Sequence, residues 1–264
     1  MRLSHFVFSG MTALFILAAG VSQSHALTVE ELKQRGFVTI GISDQNPPYA
    51  SLDASMENTG LEVDLAKGLA TALGVEMRPV VVTSANRVAC LLTGCADILI
   101  HSLTITPERQ KQVDFSVPYA ENVFGIVAAQ GTELKTIDDL AKYRVGVIRA
   151  AFGDPILTEK APAGTTIQRY EDLSGLLQAL LSGQVDAIAE NSLVPGVLNR
   201  MQPAGNFENK VRFTAGYWGM AIQKGQPELL AFLNSYLTTI RTDGTLDGLY
   251  KSYMNVAMPV LPTN

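Results

Sequence analysis

An alternation of strand-like apolar runs and helical patterns, which occurs twice, constrains this chain more than any other feature. In the first round, "FVTIGIS", "VEMRPVVV" and "ADILI" predict strands. Between them, "GLEVDLAKGLATALG" predicts an amphipathic helix that stops at Gly74, and "ANRVACLLTG" predicts a helix that stops at Gly94. Strands separated by helices in this way form α/β sheets with right-handed crossovers.

The second round repeats the order of the first. "TIDDLAKY", "PILTEKA" and "DLSGLLQALLSG" predict helices, and "RVGVIRA", "TTIQRY" and "VDAIAEN" predict strands. The segments "LLTGCADILI" from Leu91 and "LLSGQVDAIA" from Leu180 are near copies, 89 positions apart. Helix–Gly–strand junctions are common enough for a coincidence, but the matching order of the flanking elements favours two similar α/β lobes.

The part of the chain that follows the second round contains too few predicted strands to form a third sheet. "YWGMAIQKG" predicts a strand, and "QPELLAFLNSYLTTIRTDGTLDGLYKSYM" predicts two amphipathic helices that separate at Asp243 and Gly244. We therefore expect lobe 1 at 27–120, lobe 2 at 121–214 and a return segment of lobe 1 at 215–264. The two crossings, near 119–123 and 214–218, would form a hinge that suits closure around a ligand.

Residues 1–26 have the pattern of a cleaved secretory signal peptide. Arg2 is followed by the apolar run "FVFSGMTALFILAAG", and "SHA" precedes a cleavage point after Ala26. The alternative is an uncleaved anchor, but the run is short for a bilayer span and is interrupted by Ser and Gly. We expect a periplasmic protein without a lipid anchor, since no cysteine lies at the cleavage point.

Composition excludes several function classes. Cleavage leaves 238 of the 264 residues and removes one arginine, so the formal charge of −5 becomes −6. An acidic chain without Lys/Arg clusters argues against nucleic acid and anionic membranes as partners. His101, Cys90 and Cys95 are too few for a zinc site, so no metal or cofactor is expected. An oxidising compartment favours a Cys90–Cys95 disulfide, but their close spacing is tight for its geometry, so free thiols remain an alternative.

Polar residues follow the predicted strands where α/β sheets bind ligands, at the carboxyl ends. Asp44 and Arg149 follow the first strand of each lobe. His101 and Ser102 follow the third strand of lobe 1, and Glu190 and Asn191 follow its counterpart in lobe 2. Any one of them could simply terminate a strand, but four such ends together indicate a pocket between the lobes.

Several motifs together resemble the bacterial extracellular solute-binding proteins of family 3, the polar amino-acid receptors of ABC importers. They are "NPPY", "GLEVDLAKGLATALG", the block "NRVACLLTGCADILIHSLTITPERQKQVDFSVPY" and, later, "VGVIRAAFGD", "LLSGQVDAIAEN" and "TIRTDGTLDGLYKSY". The resemblance implies a two-lobed periplasmic-binding-protein-like fold of type II. It also implies a monomer that captures an amino acid or related carboxylate in the inter-lobe cleft and delivers it to permease subunits.

The resemblance also implies roles for individual residues. Arg109 would bind the α-carboxylate of the ligand, for which a guanidinium fork is well shaped, with the hydroxyls of Ser102 and Thr104 beside it. The alternative is an exposed Arg109 paired with Glu108 or Asp114.

The first strand and its following loop would form one wall of the inter-lobe cleft. Tyr49 on this wall would lie against the ligand, or alternatively at the rim of the cleft. Asp44 and Asn46 would line the same wall. Asn86 and Arg87 occupy a helix start that faces the cleft in relatives that recognise polar side chains. Asn86 could equally be a helix N-cap.

Two departures from the family pattern bear on the ligand. Hydroxyl residues common in relatives are replaced by "RAAF", so backbone amides would serve and Phe152 would face the pocket. The aspartate that holds the α-ammonium falls on Asn191, which cannot neutralise a buried cation. Either Glu190 or Asp44 supplies the charge, or the ligand is not a simple α-amino acid.

Two functions from different classes therefore compete. The first is a non-enzymatic receptor. The second is an exported enzyme resembling cyclohexadienyl dehydratases on the same scaffold, in which Glu190 would act as general acid and His101 is the one other candidate proton carrier.

Overall fold

The computed structural model describes residues 26–263. The predicted signal peptide therefore lies outside the described residues, except for Ala26. The strands, in chain order, are β1 (Phe37–Ile42), β2 (Gln45–Asn46), β3 (Ala50–Leu52), β4 (Asn58–Thr59), β5 (Glu76–Val81), β6 (Ile98–Leu99), β7 (Val113–Phe115), β8 (Ala120–Ala129), β9 (Arg144–Ile148), β10 (Thr166–Tyr170), β11 (Ala187–Asn191), β12 (Phe207–Trp218) and β13 (Ala221–Gln223).

Nine α-helices and two 3-10 helices complete the described part. The α-helices are α1 (Val29–Arg35), α2 (Leu61–Leu73), α3 (Arg87–Leu92), α4 (Pro107–Gln110), α5 (Gly153–Lys160), α6 (Leu173–Leu181), α7 (Val194–Met201), α8 (Pro227–Thr242) and α9 (Thr245–Met254). The 3-10 helices are Ile137–Lys142 and Pro203–Gly205, so "TIDDLAKY" forms a capped 3-10 helix rather than an α-helix.

Two five-stranded mixed sheets form the two predicted lobes. The lobe 1 sheet has the order β5-β1-β6-β13-β7, and the lobe 2 sheet has the order β10-β9-β11-β8-β12. In both, the first strand lies between the second and third and pairs with them in parallel. The common 2-1-3 order confirms the two similar lobes that the repeated pattern predicts.

The repeated Leu-Leu segments occupy equivalent places in the two lobes. Each forms a helix, a Gly turn with positive φ and the third strand of its sheet, α3–β6 in lobe 1 and α6–β11 in lobe 2. The repeated aspartates tie the third strand to the first: Asp97 accepts the backbone N–H of Thr39 at 2.7 Å, and Asp186 accepts that of Arg144 at 2.8 Å. The repeat is therefore a structural unit.

The long strands β8 and β12 connect the lobes. The chain leaves the lobe 1 sheet after Phe115 and enters β8 at Ala120, and it returns from β12 at Trp218 to β13 at Ala221. β8 and β12 pair antiparallel along most of their length, from Ala120 with Trp218 to Ala129 with Phe207. Two paired connections of this kind act as a hinge.

The return segment packs on lobe 1. Leu229, Leu233 and Leu237 are buried along one face of α8 and join the same core as Leu65 and Leu69 of α2. Spacing of three and four residues places such side chains on one helix face. Within residues 26–263, no helix combines the length and apolar character that crossing a bilayer requires.

The two cysteines are bonded to each other. Cys90 near the end of α3 forms a disulfide with Cys95, which precedes β6, across a Cα–Cα distance of 5.1 Å. The sequence left this pairing open, and Gly94 with positive φ supplies the tight turn that brings the two residues together.

Candidate functional site

The candidate site is a cleft between the carboxyl ends of the two sheets. About 790 Å³ of space free of protein atoms, part of it continuous with solvent, lies between the lobes. Lobe 1 contributes Asp44 after β1, residues 82–84 after β5, and His101, Ser102 and Thr104 after β6. Lobe 2 contributes residues 147–148, 151–153, 171–173 and 189–190. Strand ends therefore place the polar groups, as the sequence predicted.

A buried carboxyl group, that of Glu62, accepts hydrogen bonds from both the backbone and the side chain of Ser102. Glu62, at the start of α2, is fully buried, and its Oε1 accepts from Ser102 N at 2.6 Å, Ser102 Oγ at 2.8 Å and Tyr119 Oη at 2.5 Å. Ser102 has a φ of +44°, a left-handed conformation that is costly outside glycine. Because Glu62 takes both donors of Ser102, this residue offers a ligand no hydrogen, unlike the role expected from sequence.

Thr104 is the hydroxyl whose hydrogen remains free. Its Oγ1 accepts from Asn122 Nδ2 and from Trp218 Nε1, both at 3.2 Å. A hydroxyl has two acceptor positions and one donor, so both lone pairs are in use and the hydrogen is left to donate. Thr104 lines the cleft, and no acceptor among the described residues takes this hydrogen. The hydroxyl is therefore preset to bind an acceptor on a ligand.

Arg109 lies behind this hydroxyl. Thr106 caps the short helix α4 and fixes the backbone N–H of Arg109, and Arg109 Nη1 donates to the carbonyl oxygen of Thr104 at 2.8 Å. Burial lowers the pKa of Arg109 to about 10. In this conformation Arg109 is not part of the cleft lining, although it contacts a residue that is.

A second guanidinium, that of Arg87 at the start of α3, does line the cleft. Arg87 is 2% exposed, and its Nη1 donates to His101 O at 2.6 Å and lies 3.0 Å from His101 Nδ1. His101 Nε2 lies 2.9 Å from the carbonyl oxygen of Val82, which assigns the ring hydrogen to Nε2. Burial and the neighbouring Arg87 lower the pKa of His101 to about 3, so the ring is neutral.

On the lobe 2 wall, Glu190 faces the cleft and Asn191 does not. Burial raises the pKa of Glu190 to about 7, although its Oε1 accepts the N–H of Asn191 at 2.8 Å. Asn191 is 1% exposed and bonds inside the hinge, where its Nδ2 donates to Asn122 Oδ1 at 2.8 Å and its Oδ1 accepts from Leu193 N at 2.9 Å. The side-chain order along β11 thus alternates, as a strand requires.

The remaining predicted residues divide between the cleft and its rim. Tyr49, Asp44, Asn46 and Phe152 line the cleft, and the Tyr49 ring packs edge-on against Trp218 at 4.7 Å between centroids. Arg149 is exposed and pairs with Glu171 at 2.9 Å. Asn86 is exposed and closes a turn by accepting the N–H of Thr83 at 2.8 Å, without a side-chain cap on α3.

The profile of a known family matches most of the chain. Residues 38–256 match the bacterial extracellular solute-binding proteins, family 3. The chain belongs to this family. The fold is the two-lobed type II fold that the sequence predicted.

Individual relatives support the same assignment. This solute-binding protein is 29% identical to the ABC transporter glutamine-binding protein GlnH of Bacillus subtilis over 234 residues, covering 86% of this chain and 84% of the relative. It is 28% identical to the L-cystine-binding protein TcyJ of Escherichia coli K12 over 260 residues, covering 96% and 97%. Among solved structures, the ancestral amino acid-binding protein AncCDT-1, a precursor of cyclohexadienyl dehydratase, matches with a TM-score of 0.79 at 32% identity, covering 86% and 99%.

Sequence reasoning underweighted four residues of this solute-binding protein. Arg87 was placed with Asn86 at a helix start facing the cleft but was given no role of its own, and Glu62, Asn122 and Trp218 were not singled out. A polar residue inside an otherwise apolar pattern was the available signal for Glu62, which sits between Leu61 and Val63. Asn122 and Trp218 lie on the long hinge strands and carried no such signal.

Proposed function

We propose that this protein is an extracytoplasmic receptor that captures an amino acid or a related carboxylate and delivers it to an ABC permease. The observation that carries the proposal is that a cationic group and an acidic group line the same cleft. The guanidinium of Arg87 lies on the lobe 1 wall, and the carboxyl of Glu190 lies on the lobe 2 wall. A zwitterionic solute needs both. The glutamine-binding and cystine-binding relatives support the amino-acid class.

The ligand carboxylate belongs on the lobe 1 side. The free hydroxyl hydrogen of Thr104 donates to it, and a guanidinium supplies the fork that a planar carboxylate matches. Arg87 supplies positive charge at this wall. We assign the α-carboxylate to Arg109, as the family resemblance implies; its Nη1 now donates to the Thr104 carbonyl outside the lining and would have to leave that carbonyl to reach the ligand. The ammonium belongs to Glu190, with Asp44 as the second carboxyl within the lining, and Tyr49 lies against the body of the solute.

A ligand-dependent thermal shift tests the proposal. The mature protein, from residue 27, is heated with each of the common amino acids and with related carboxylic acids in turn. A ligand present at 100 times its dissociation constant stabilises the fold by about 2.7 kcal/mol, and micromolar affinity corresponds to about −8 kcal/mol. A folded protein that none of these compounds stabilises would contradict the proposal.

Two further parts of this proposal have their own measurements. Mass analysis of the exported protein locates the cleavage point, for which we propose the bond after Ala26. Light scattering of the purified protein gives the mass in solution, for which we propose a monomer.

A lyase is the second candidate function, because the carboxyl group of Glu190 in the cleft could act as a general acid. The pKa of about 7 keeps Glu190 partly protonated near neutral pH, as a general acid must be. The ancestral neighbour AncCDT-1 is itself an amino acid-binding protein, described as a precursor of cyclohexadienyl dehydratase, so it relates this scaffold to that class of enzyme without favouring turnover. A turnover assay with prephenate- and arogenate-like acids separates the candidates, since a receptor binds without releasing product.

A further inference from the structure

A second cavity lies behind the hinge, on the side of β8 that faces away from the cleft. Asn122 of β8 turns toward Thr104 and lines the cleft, so its neighbours Glu121 and Val123 point to the opposite side of the strand. Both of them line this second cavity, which holds about 510 Å³ of space free of protein atoms, part of it continuous with solvent. We call it the back cavity.

The two lobes face each other across the back cavity with mostly apolar side chains. Lobe 2 contributes Ser192 and Leu193, which connect β11 to α7. Lobe 1 contributes Tyr250 of α9 and part of the C-terminal tail, residues 255–263. Nearly all of this tail lies beyond the residues matched by the family, which end at 256. The tail residues that line the back cavity are Val256, Ala257 and Pro259.

The tail is fixed to lobe 1 on both sides of the residues that line the back cavity. The backbone N–H of Met258 donates to Asp247 Oδ1 of α9 at 2.9 Å. Arg241 of α8 donates from Nη1 to the carbonyl oxygen of Pro262 at 3.0 Å, and from Nη2 to that of Pro118, just before β8. The tail therefore moves with lobe 1 and cannot swing aside when the lobes rotate.

The cleft and the back cavity lie on opposite sides of the same hinge, so a rotation that widens one narrows the other. The lobes already touch at the mouth of the cleft, where Ser174 Oγ lies 3.4 Å from the carbonyl oxygen of Gln45. Opening the cleft would bring Leu193 toward Val256, whose surface is 37% exposed in the present arrangement. Apolar surfaces that meet in this way leave water, which favours the arrangement in which they are in contact.

We propose that the C-terminal tail is a resting surface for lobe 2 in the open form, and that it thereby sets the affinity of the cleft from a distance. This goes beyond the proposed function, because it concerns the balance between open and closed forms without ligand. A ligand that binds the closed form has an apparent affinity reduced by the fraction of the protein that is closed. Contact between Leu193 and the tail lowers that fraction.

Ala257→Trp tests the proposal by filling the back cavity, because the ring occupies the space that opening would close. Small-angle X-ray scattering of the ligand-free protein should give a smaller radius of gyration than wild type. Calorimetry with the amino acid that most stabilises wild type in the thermal-shift panel should show roughly tenfold tighter binding, limited by the ratio of open to closed protein. Val260→Trp is the matched control, since Val260 is 96% exposed in the same tail and does not line the cavity.

Val256→Asp tests the same contact by a different physical effect. An aspartate at this position stays hydrated while the back cavity is open, but it must lose water beside Leu193 and the carboxyl of Glu121 when the cavity closes. The open form should therefore be disfavoured, with a smaller radius of gyration and tighter binding, as for Ala257→Trp. Val260→Asp adds the same charge to the same tail outside the cavity and should change neither quantity.

The outcomes separate this proposal from the proposed function. If both variants match their controls in radius and affinity, the tail does not govern opening and the proposal fails, while the receptor function stands. A larger radius or weaker binding in Ala257→Trp and Val256→Asp would show that the tail supports the closed form, which also overturns it. If no amino acid in the panel binds, the proposed function fails, and the radius of the ligand-free variants alone decides. Either variant suffices should the other not fold.

Discussion

The carboxyl group of Glu190, the proposed partner of the ligand ammonium, should also make the free energy of unfolding depend on pH. Burial raises its pKa from 4.5 to about 7, so the folded protein holds its proton more tightly than the unfolded chain does. The stabilisation this gives is complete below about pH 4.5 and is lost as the pH rises through about 7. Glu190→Gln, which cannot ionise, should therefore gain stability relative to wild type across that window, by at most about 3 kcal/mol.

Urea unfolding at pH 5 and pH 8 without ligand measures this difference. Glu133→Gln is the control, since Glu133 is exposed and paired only with Lys135. An equal gap between wild type and Glu190→Gln at the two pH values would show that Glu190 is solvated like a surface carboxyl.

Thr104 tests whether one hydroxyl hydrogen reaches the ligand. Thr104→Val keeps the shape but removes the oxygen that accepts from Asn122 and Trp218, which should cost about 1–3 kcal/mol of folding free energy. Ligand affinity should fall as well, because the preset donor is gone. Thr104→Ser retains the hydroxyl and should bind within about threefold of wild type. A folded Thr104→Val protein with native affinity would place that hydrogen away from the ligand.

At the scale of the elements, periodic patterns were predictable and hinge contacts were not. α2, α6 and α8 follow from apolar spacing, and the Gly-terminated helices end where the sequence indicates. β8 and β12 were missed: β12 is mostly half-buried or exposed and shows no apolar period, and β8 is buried by its place between β11 and β12 in the sheet. The cleft positions of Asp44 and Glu190 followed from strand ends, whereas the neighbours Glu190 and Asn191 face different surroundings that only the fold determines.

The α3–β6 connection offers a prediction about a single element. The Cys90–Cys95 bridge joins residues five positions apart in the chain, for which the chain-entropy account gives about 2 kcal/mol. The double substitution of both cysteines by serine should lower the free energy of unfolding by about that amount. Chemical denaturation of this variant and of wild type measures it, and unchanged stability would mean that the Gly94 turn alone holds the connection.

For the whole molecule, one hydrogen-bond chain links the two lobes through the hinge. Tyr49 Oη of lobe 1 lies 3.5 Å from Asn191 Oδ1 of lobe 2. Asn191 Nδ2 then donates to Asn122 Oδ1, and Asn122 Nδ2 donates to Thr104 Oγ1, the proposed donor to the ligand. Across the rim, Ser174 Oγ of α6 lies 3.4 Å from the carbonyl oxygen of Gln45. If Thr104 donates to the ligand as we propose, we expect occupancy of the cleft and the relative position of the lobes to be coupled.

Asn191→Asp tests this coupling at the position where the family resemblance implies an aspartate. If the missing negative charge alone limited recognition of an ammonium, the substitution would strengthen binding. The network predicts the opposite, since an aspartate at 191 presents an oxygen to Asn122 Oδ1 and the hydrogen bond is lost. Rotation of the Asn122 amide restores that bond, but its oxygen then faces Thr104 and takes the hydroxyl hydrogen that the ligand needs.

Either response should weaken ligand affinity by about tenfold, in line with the loss of one buried hydrogen bond. Calorimetry on Asn191→Asp and on the double variant Asn191→Asp/Asn122→Ala separates the two. With Asn122 removed, no amide competes for the Thr104 hydrogen, so part of the lost affinity should return if rotation was the cause. Tighter amino-acid binding in the single variant would instead place residue 191 at the ammonium and detach it from the hinge.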